Sequence, residues 1–220
     1  MKRKLVIFGL DMIAKLAHFY FSRDSNYEVV GFTVDEAYLL NQSFSGLPVV
    51  PFESIANQYP PDEYNLFIAI GTSKMNENRE KKYLEAKSKG YSLASYISPY
   101  AVCDSRVGEN SIVGDMTVIQ PFVTIGSNNF FWEQCFIGCD SFIGNNCSFS
   151  AKSVVSTFAE IQDNVILGSG AIVKTSIRVA KRTLVGAASY ISANTKENGV
   201  YGERNSHFAG AISHKINIST

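Results

Sequence analysis

Small and acidic residues follow three apolar segments in the first third of the chain, and they are the first candidates for chemistry. Gly9 and Asp11 follow the first segment, Asp35 follows the second, and Gly71 and Thr72 follow the third. Carboxylate and hydroxyl oxygens form hydrogen bonds with sugar hydroxyls and base edges. We therefore expect these five residues to contact a sugar or nucleoside. The alternative is that the two glycines only turn the chain.

The first of these segments differs from a dinucleotide-binding fingerprint. That fingerprint is G-x-G-x-x-G, in which the glycines let the backbone approach a pyrophosphate. Residues 9–14 read GLDMIA, so Asp11 replaces the second glycine and places a carboxylate where phosphates would lie. The sequence therefore argues against NAD as a ligand.

The elements that must position these residues are those of a small parallel α/β sheet. Residues 4–8, 27–34 and 65–70 have the composition of strands, and residues 12–21 carry apolar side chains at helical spacing. Residues 74–89 are charged, lack proline and end before a glycine, as a capped helix does. Ligands of such sheets bind outside the carboxyl ends of the strands, where we place all five candidates.

A second pattern starts at Val107 and repeats every six residues without an inserted loop. Glycine often follows the repeated apolar residue directly, and the residue four places after the apolar residue is mostly small. This is the signature of a hexapeptide β-helix, in which three short strands form a coil and the apolar residue points inward. Fifteen repeats predict five coils, a prism roughly 24 Å tall at about 4.8 Å per coil. The repeated positions are Val107, Val113, Ile119, Ile125, Phe131, Ile137, Ile143, Phe149, Val155, Ile161, Leu167, Val173, Val179, Val185 and Ile191.

The distribution of charge separates two domains and a tail. The 20 basic and 20 acidic residues balance, which argues against a nucleic-acid partner. Residues 1–90 hold 22 of these 40 charges, whereas residues 91–196 hold 14. We predict a Rossmann-like α/β domain over residues 1–90, a left-handed parallel β-helix over residues 91–196 and a C-terminal tail over residues 197–220.

The cysteines, histidines and apolar segments of the chain argue against a metal site and a membrane span. Four cysteines without CxxC pairing and three histidines do not support a zinc site, so we expect no metal. Cys135 and Cys147 fall at the small inward position and are expected to fill the core. No apolar run approaches the roughly 18–20 residues that span a bilayer, and the first residues do not form a signal peptide. We therefore expect a cytoplasmic protein without a membrane partner.

The pairing of these two domains resembles the sugar O-acyltransferases of the sialic acid O-acetyltransferase type, which include N-acetyltransferases acting on nucleotide-linked amino sugars. The resemblance covers nearly the whole chain and includes GFTVD at 31–35, LPVV at 47–50 and IAIG at 68–71. It implies a homotrimer whose first domain holds the nucleotide-linked amino sugar. It also implies that acetyl-CoA lies along the groove between neighbouring β-helices.

The chain departs from this family where the catalytic base belongs. The family has a histidine there, followed by an acidic residue or a second histidine and an apolar-Gly repeat. Residues 137–144 read IGCDSFIG, with Cys139 in the histidine's place, and residues 91–196 contain no histidine. The resemblance thus implies Asp140 as the base or ammonium-orienting group, or Cys139 as a nucleophile. A third possibility is that His207 of one chain reaches a neighbouring chain's site. The family's closing Gly-x-Pro-Ala-Lys stretch is also absent.

The resemblance further implies positions where the later coils contact the acyl donor, namely Ser148, Ser169, Gly186 and Ala187. Four basic residues within nine positions are candidates for the CoA phosphates, or form a solvated face: Lys174, Arg178, Lys181 and Arg182.

Loss of the histidine lowers the activity of such an enzyme but does not have to abolish it, because positioning and oxyanion stabilisation contribute as much to the rate as a general base does. An amine also binds already deprotonated, whereas a hydroxyl does not. The sequence therefore favours an acetyl-CoA-dependent N-acetyltransferase of a nucleotide-linked amino sugar for surface glycan synthesis. The alternatives are a catalytically inactive sugar-nucleotide-binding or regulatory trimer, and an O-acetyltransferase.

Overall fold

Two helices cover a five-stranded sheet in the first part of the chain. The computed structural model describes residues 2–202. The strand order is β3-β4-β2-β1-β5, and all neighbours are parallel except β3 and β4. The strands are β1 Arg3–Phe8, β2 Tyr27–Val34, β3 Ser43–Phe44, β4 Leu47–Pro51 and β5 Tyr64–Ile68, and the helices are α1 Met12–Asp24 and α2 Glu77–Ser88. Short 3-10 turns span Glu36–Tyr38 and Ile55–Asn57.

The alternation of apolar residues along β1 assigns one helix to each face of this sheet. Leu5 and Ile7 pack with Phe21 of α1, whereas Val6 packs in the cluster that contains Ala86 of α2. Successive side chains of a strand point to opposite faces, so a strand buried on both faces reads as a continuous apolar run. The predicted strands and helices of this domain are present with shifted ends. The β3–β4 hairpin was not predicted, because the prolines at 48 and 51 obscure the strand pattern.

The rest of the described chain forms three parallel sheets that wrap around a prism. The seven-stranded sheet contains β6 Tyr96–Ile97, β8 Ile112–Val113, β11 Phe130–Phe131, β14 Ser148–Phe149, β17 Ile166–Leu167, β20 Leu184–Val185 and β22 Val200–Tyr201. The six-stranded sheet contains β7 Val102–Cys103, β9 Val118–Ile119, β12 Phe136–Ile137, β15 Val154–Val155, β18 Ile172–Val173 and β21 Tyr190–Ile191. The four-stranded sheet contains β10 Thr124–Ile125, β13 Phe142–Ile143, β16 Glu160–Ile161 and β19 Arg178–Val179.

The six-residue register is confirmed from Val113 to Ile191, where every repeated residue is buried in one cluster. Val107 is an exception, because it lies outside a strand and is only partly buried. The prism begins before it, at β6 and β7, and the step from Cys103 of β7 to Val113 of β8 takes ten residues, whereas the equivalent step from Ile119 of β9 to Phe131 of β11 takes twelve. The repeat therefore starts earlier than the sequence pattern indicated, with a first coil that is two residues shorter than the next. Strand pairing continues to β22.

Each coil turns three corners, and many corner residues adopt the left-handed backbone conformation. We name the corners by their residues. The asparagine corner carries Asn110, Asn128, Asn146 and Asn164, the Asp140 corner carries Phe122, Asp140, Phe158 and Ser176, and the Ser169 corner carries Gln134, Lys152, Gly170 and Ala188 with Ser169 beside them.

The α/β domain packs on the seven-stranded sheet of the prism. The Phe67 ring of β5 stacks on the Phe130 ring of β11 at 5.8 Å between centroids. On the α1 side, Arg23 pairs with Asp115 at 2.9 Å between Nη2 and Oδ1. The two domains therefore share apolar and charged contacts at both ends of this interface.

Candidate functional site

A cleft of about 620 Å³ opens at the carboxyl ends of β1, β2 and β5. Phe8, Val34 and Ile70 form part of its apolar lining. The polar lining consists of Asp35, Asn78, Lys81, Lys82 and Glu85. The cleft therefore offers both carboxylates and ammonium groups at the edge of the sheet where ligands of α/β domains bind.

Lys82 is the central charge of this cleft. Its Nζ lies 2.6 Å from Asp35 Oδ1 and 2.6 Å from Glu85 Oε2, above the rings of Phe8 and Phe52. Although burial acts to lower it, the hydrogen bonds to the two carboxylates raise the pKa of Lys82 above its ordinary value. The ammonium group therefore stays charged and is held in place by the two carboxylates.

Of the five predicted contacts for a sugar or nucleoside, only Asp35 lines the cleft. Asp11 caps α1 instead, because its Oδ1 accepts hydrogen bonds from the amides of Ile13 (2.9 Å) and Ala14 (3.2 Å). Gly9 has φ +120°, and a Cβ there would lie 2.8 Å from the Ala69 carbonyl oxygen, so it turns the chain.

Gly71 and Thr72 lie in the loop between β5 and α2, with Gly71 facing Ile13 at the start of α1. They stand near the same sheet edge without lining the cleft. The α2 residues Lys81, Lys82 and Glu85 were missed as site residues. The charged segment after the third predicted strand was the available signal, since a helix that follows a parallel strand starts at the ligand-binding edge.

Cys139 and Asp140 occupy one corner of the prism, in the turn that follows β12. Asp140 is exposed and has φ +55°. The corner residues one coil above and one coil below it are Phe122 and Phe158, which are 78% and 60% exposed. An accessible carboxylate is therefore flanked along this edge by two exposed aromatic side chains.

Cys139 is half-buried beside this carboxylate. Its amide donates a hydrogen bond to Gln120 Oε1 at 2.9 Å. Pro121 and Thr157 hold the equivalent positions in the adjoining coils, and neither is a base or a cation. This geometry gives the thiol no partner of the kind that activates a cysteine nucleophile. His207, the other candidate, lies outside the described residues.

The predicted acyl-donor contacts separate into two groups. Ser148 is buried under the α/β domain, where its Oγ donates to Asn76 Oδ1 at 2.9 Å and accepts from Arg79. It is therefore inaccessible to a ligand, contrary to the expectation from the resemblance. Ser169, Gly186 and Ala187 lie together on the Ser169 corner, where the amide of the neighbouring Ala188 donates to the Ser169 carbonyl oxygen at 2.8 Å.

The four basic residues of the later coils do not form one patch. Arg182 pairs with Glu77 at 2.9 Å and Lys181 pairs with Asp163 at 3.4 Å, both along the asparagine corner. Lys174 lies at the Asp140 corner and Arg178 on the four-stranded sheet. Six-residue periodicity distributes residues that are close in sequence around the prism, so the predicted phosphate-binding cluster is wrong as a cluster.

The buried thiols have a structural role. Cys135 and Cys147 are buried in the prism core, as predicted, and all four cysteines are free. Between residues 2 and 202, no group of three or more His, Cys, Asp or Glu side chains is arranged to hold a metal ion. Over the same residues, no helix is both long and apolar enough to cross a membrane.

Three solved structures share this arrangement of domains. The acetyltransferase domain of PglB from Neisseria gonorrhoeae FA1090 matches with a TM-score of 0.82 at 20% identity, covering 92% of this chain and 97% of that chain. PerB from Caulobacter crescentus, solved in complex with CoA and GDP-perosamine, matches with a TM-score of 0.78 at 22% identity over 91% and 94%. WeeI from Acinetobacter baumannii AYE matches with a TM-score of 0.71 at 19% identity over 91% and 94%.

No protein-family model and no curated protein matches the chain. At identities near 20%, the structural likeness establishes the fold. The predicted fold class is therefore confirmed: a small α/β domain followed by a left-handed parallel β-helix, as in these acetyltransferases.

Proposed function

We propose that this protein is an acetyl-CoA-dependent N-acetyltransferase that acts on a nucleotide-linked amino sugar in the cytoplasm, for surface glycan synthesis. The observation that carries the proposal is the cleft at the carboxyl ends of β1, β2 and β5, on an α/β domain packed against the prism. PerB, which shares this two-domain fold, was solved with CoA and GDP-perosamine. The match to PerB supports the proposal because the two proteins share a fold, and the cleft supports it because charged and polar side chains line it.

The cleft fits a nucleotide-linked sugar in charge and size. Lys81 supplies a positive charge for a diphosphate, and the Asp35 carboxylate, which Lys82 holds in place, accepts hydrogen bonds from ribose or sugar hydroxyls. Its volume of about 620 Å³ lies within the range of small-molecule sites. In this proposal Gly9, Asp11, Gly71 and Thr72 shape the edge of the sheet beside the cleft.

Asp140 acts in the proposed reaction as the group that receives the amine's proton. The amine nitrogen attacks the thioester carbonyl carbon, so a C–N bond forms and the C–S bond breaks. The proton lost by the nitrogen passes to the Asp140 carboxylate, and the departing CoA sulfur leaves as a thiolate that takes a proton from water. A carboxylate is a weaker base than histidine, so it serves an amine that deprotonates readily better than it serves a hydroxyl.

The proposed enzyme is a homotrimer, and the six-stranded sheet supports this assembly. The first residue of every strand in this sheet is apolar and points away from the core, forming a column along the prism: Val102, Val118, Phe136, Val154, Ile172 and Tyr190. The Asp140 corner borders one edge of the sheet, and the Ser169 corner borders the other. Within one chain these corners are separated, so a neighbouring copy is needed to bring the acyl-donor contacts to Asp140.

Calorimetry with acetyl-CoA and a panel of nucleotide-linked amino sugars, followed by an assay of thiol release, tests the proposal. We expect binding of both substrates and a rate that falls by about 10²-fold in Asp140→Asn, the size typical of a lost general base. Cys139→Ala is expected to keep the wild-type rate. Absence of CoA binding at millimolar concentration would favour the inactive, regulatory trimer. Faster transfer to a hydroxyl sugar than to an amino sugar would establish an O-acetyltransferase instead.

A further inference from the structure

Arg79 of α2 is a fully buried cation. Its Nη1 donates to the carbonyl oxygens of Ile70 (3.2 Å) and Gly71 (3.3 Å) and to Asn76 Oδ1 (3.2 Å). All three acceptors belong to the segment that connects β5 to α2. One nitrogen of the guanidinium group therefore holds the loop at the ligand-binding edge of the sheet.

The other terminal nitrogen of Arg79 holds the prism. Nη2 donates to the carbonyl oxygens of Asn128 (3.3 Å) and Cys147 (3.0 Å) and to Ser148 Oγ (3.1 Å). The guanidinium carbon also lies 4.1 Å from the centre of the Phe130 ring. Nη1 of the planar guanidinium group thus contacts the α/β domain and Nη2 contacts the prism. The single ammonium group of a lysine does not reproduce this arrangement.

Stability alone gives little reason to bury this cation. Among residues 2–202 Arg79 forms no ion pair, and its Nε has no hydrogen-bond partner. Burial lowers the pKa of the guanidinium group to about 9, so the group remains charged at neutral pH. A buried charge without an opposite charge costs free energy, and well-packed apolar residues often replace such groups without loss.

A second contact holds the same loop from the end of β5. The Asn110 side chain accepts from the Ile68 amide at 2.7 Å and donates to the Ile68 carbonyl oxygen at 3.3 Å. Asn110 Nδ2 also donates to Asn128 Oδ1 (2.7 Å), and Asn128 Nδ2 donates to Asn146 Oδ1 (2.8 Å). The end of β5 is thereby tied to a ladder of amides that runs down three coils.

We propose that Arg79 is a positioning residue that fixes the loop of residues 70–72 relative to the prism, with Asn110 as its second support. The inference rests on the proposed function, in which the α/β domain holds the sugar nucleotide and the prism holds the acyl group. Two substrates bound to two domains react only when their spacing is fixed, and a displacement of about 1 Å costs about 10²-fold in rate.

The test compares Arg79→Lys with Arg23→Lys, because Arg23 also bridges the two domains and does not touch the loop. In Arg79→Lys we expect kcat for acetyl transfer to fall by about 10- to 100-fold while the Kd of acetyl-CoA stays unchanged. Arg23→Lys is expected to stay within threefold of the wild type. Equal losses in both variants, or a lowered melting temperature with wild-type kcat, would overturn the positioning role.

Hydrogen exchange separates this inference from the proposed function. Faster amide exchange over residues 70–76 in Arg79→Lys, with unchanged exchange in Arg23→Lys, is expected even if the wild-type protein transfers no acetyl group. Unchanged exchange over that segment would refute the proposal that Arg79 fixes the loop. Ser148→Ala removes one acceptor of Nη2 and the bond from Ser148 Oγ to Asn76, so it tests how the loop is held to the prism while the guanidinium group stays in place, if Arg79→Lys does not fold.

Discussion

At the scale of single residues, the Asp140 corner combines a carboxylate with a thiol. The thiol lies beside Pro121 and Thr157 and has no base or cation at the equivalent positions of the adjoining coils. In the proposed reaction, the exposed carboxylate is therefore the group of this pair that takes the proton.

A histidine introduced at position 139 tests this interpretation. Cys139→His places an imidazole beside Asp140, and we expect the rate of acetyl transfer to rise by about 10²-fold because histidine is the better base near neutral pH. Steady-state kinetics measure the change, and Thr157→His, one coil further along the same edge, is the matched control. A variant that binds both substrates but is no faster than the wild type would show that this corner is not where the proton is lost.

The two core thiols predict a loss of stability in alkali. Burial raises the pKa of Cys147 to about 12 and, against hydrogen bonds to Ser153, that of Cys135 to about 11. The unfolded chain releases these protons from about pH 8.5, whereas the folded chain retains them. The free energy of unfolding therefore falls as pH rises between about 8.5 and 11, by about 1.4 kcal/mol per pH unit for each thiol.

Urea unfolding as a function of pH measures this slope. Cys147→Ala is expected to remove one thiol's share of it. Val165→Ala makes a similar cavity at the same inward position one coil further on and is expected to leave the slope unchanged. Equal slopes in the wild type and Cys147→Ala would contradict the prediction.

At the scale of elements, the asparagine corner stabilises the prism through its side chains. Asn128 is buried, has φ +63° and bonds the asparagines above and below it. Asn128→Ala is expected to lower the free energy of unfolding by about 2–4 kcal/mol, since it leaves buried amides unpaired and loses a residue that tolerates the left-handed conformation. Chemical denaturation measures the loss, which should be smaller in Asn128→Gly. Gln134→Ala, at an exposed left-handed corner, should change stability by less than about 0.5 kcal/mol.

Much of the fold was predictable because its signals are local. Period six identifies the prism from Val113 onward, since each inward residue needs only its own short strand and corner. The same kind of reading would have found the asparagine corner, because four asparagines recur at intervals of 18 residues, one full coil. The start of the prism at β6 escaped prediction, because the first coil is two residues short and the period is broken between Cys103 and Val107.

The site was less predictable, because it depends on which residues the tertiary structure brings together. Asp35 lines the cleft at the sheet edge where the sequence placed it, whereas Asp11 is used by the helix that it caps. Ser148 reads as a surface position of a coil until the α/β domain is packed over it. Arg79 carries no local signal at all, since its partners on the prism are 49 and more residues away in sequence.

At the scale of the whole molecule, the apolar column on the six-stranded sheet predicts self-association. Phe136→Glu places a charge in the middle of this column and is expected to convert the proposed trimer into a monomer, because a charge buried in an apolar interface has no partner. Light scattering measures the mass. Thr124→Glu, on the four-stranded sheet, is the control and is expected to remain trimeric. A wild-type monomer would remove the shared groove from the proposed mechanism.

The two exposed phenylalanines of the Asp140 corner have a consequence for engineering. Phe122 and Phe158 hold left-handed conformations, which cost about 1–2 kcal/mol for a residue with a Cβ, and both rings face outward in the single chain. Glycine or asparagine at these two positions would relieve that strain without touching the core. A search for thermostable variants would therefore select such changes, and it would remove both aromatic side chains that flank Asp140.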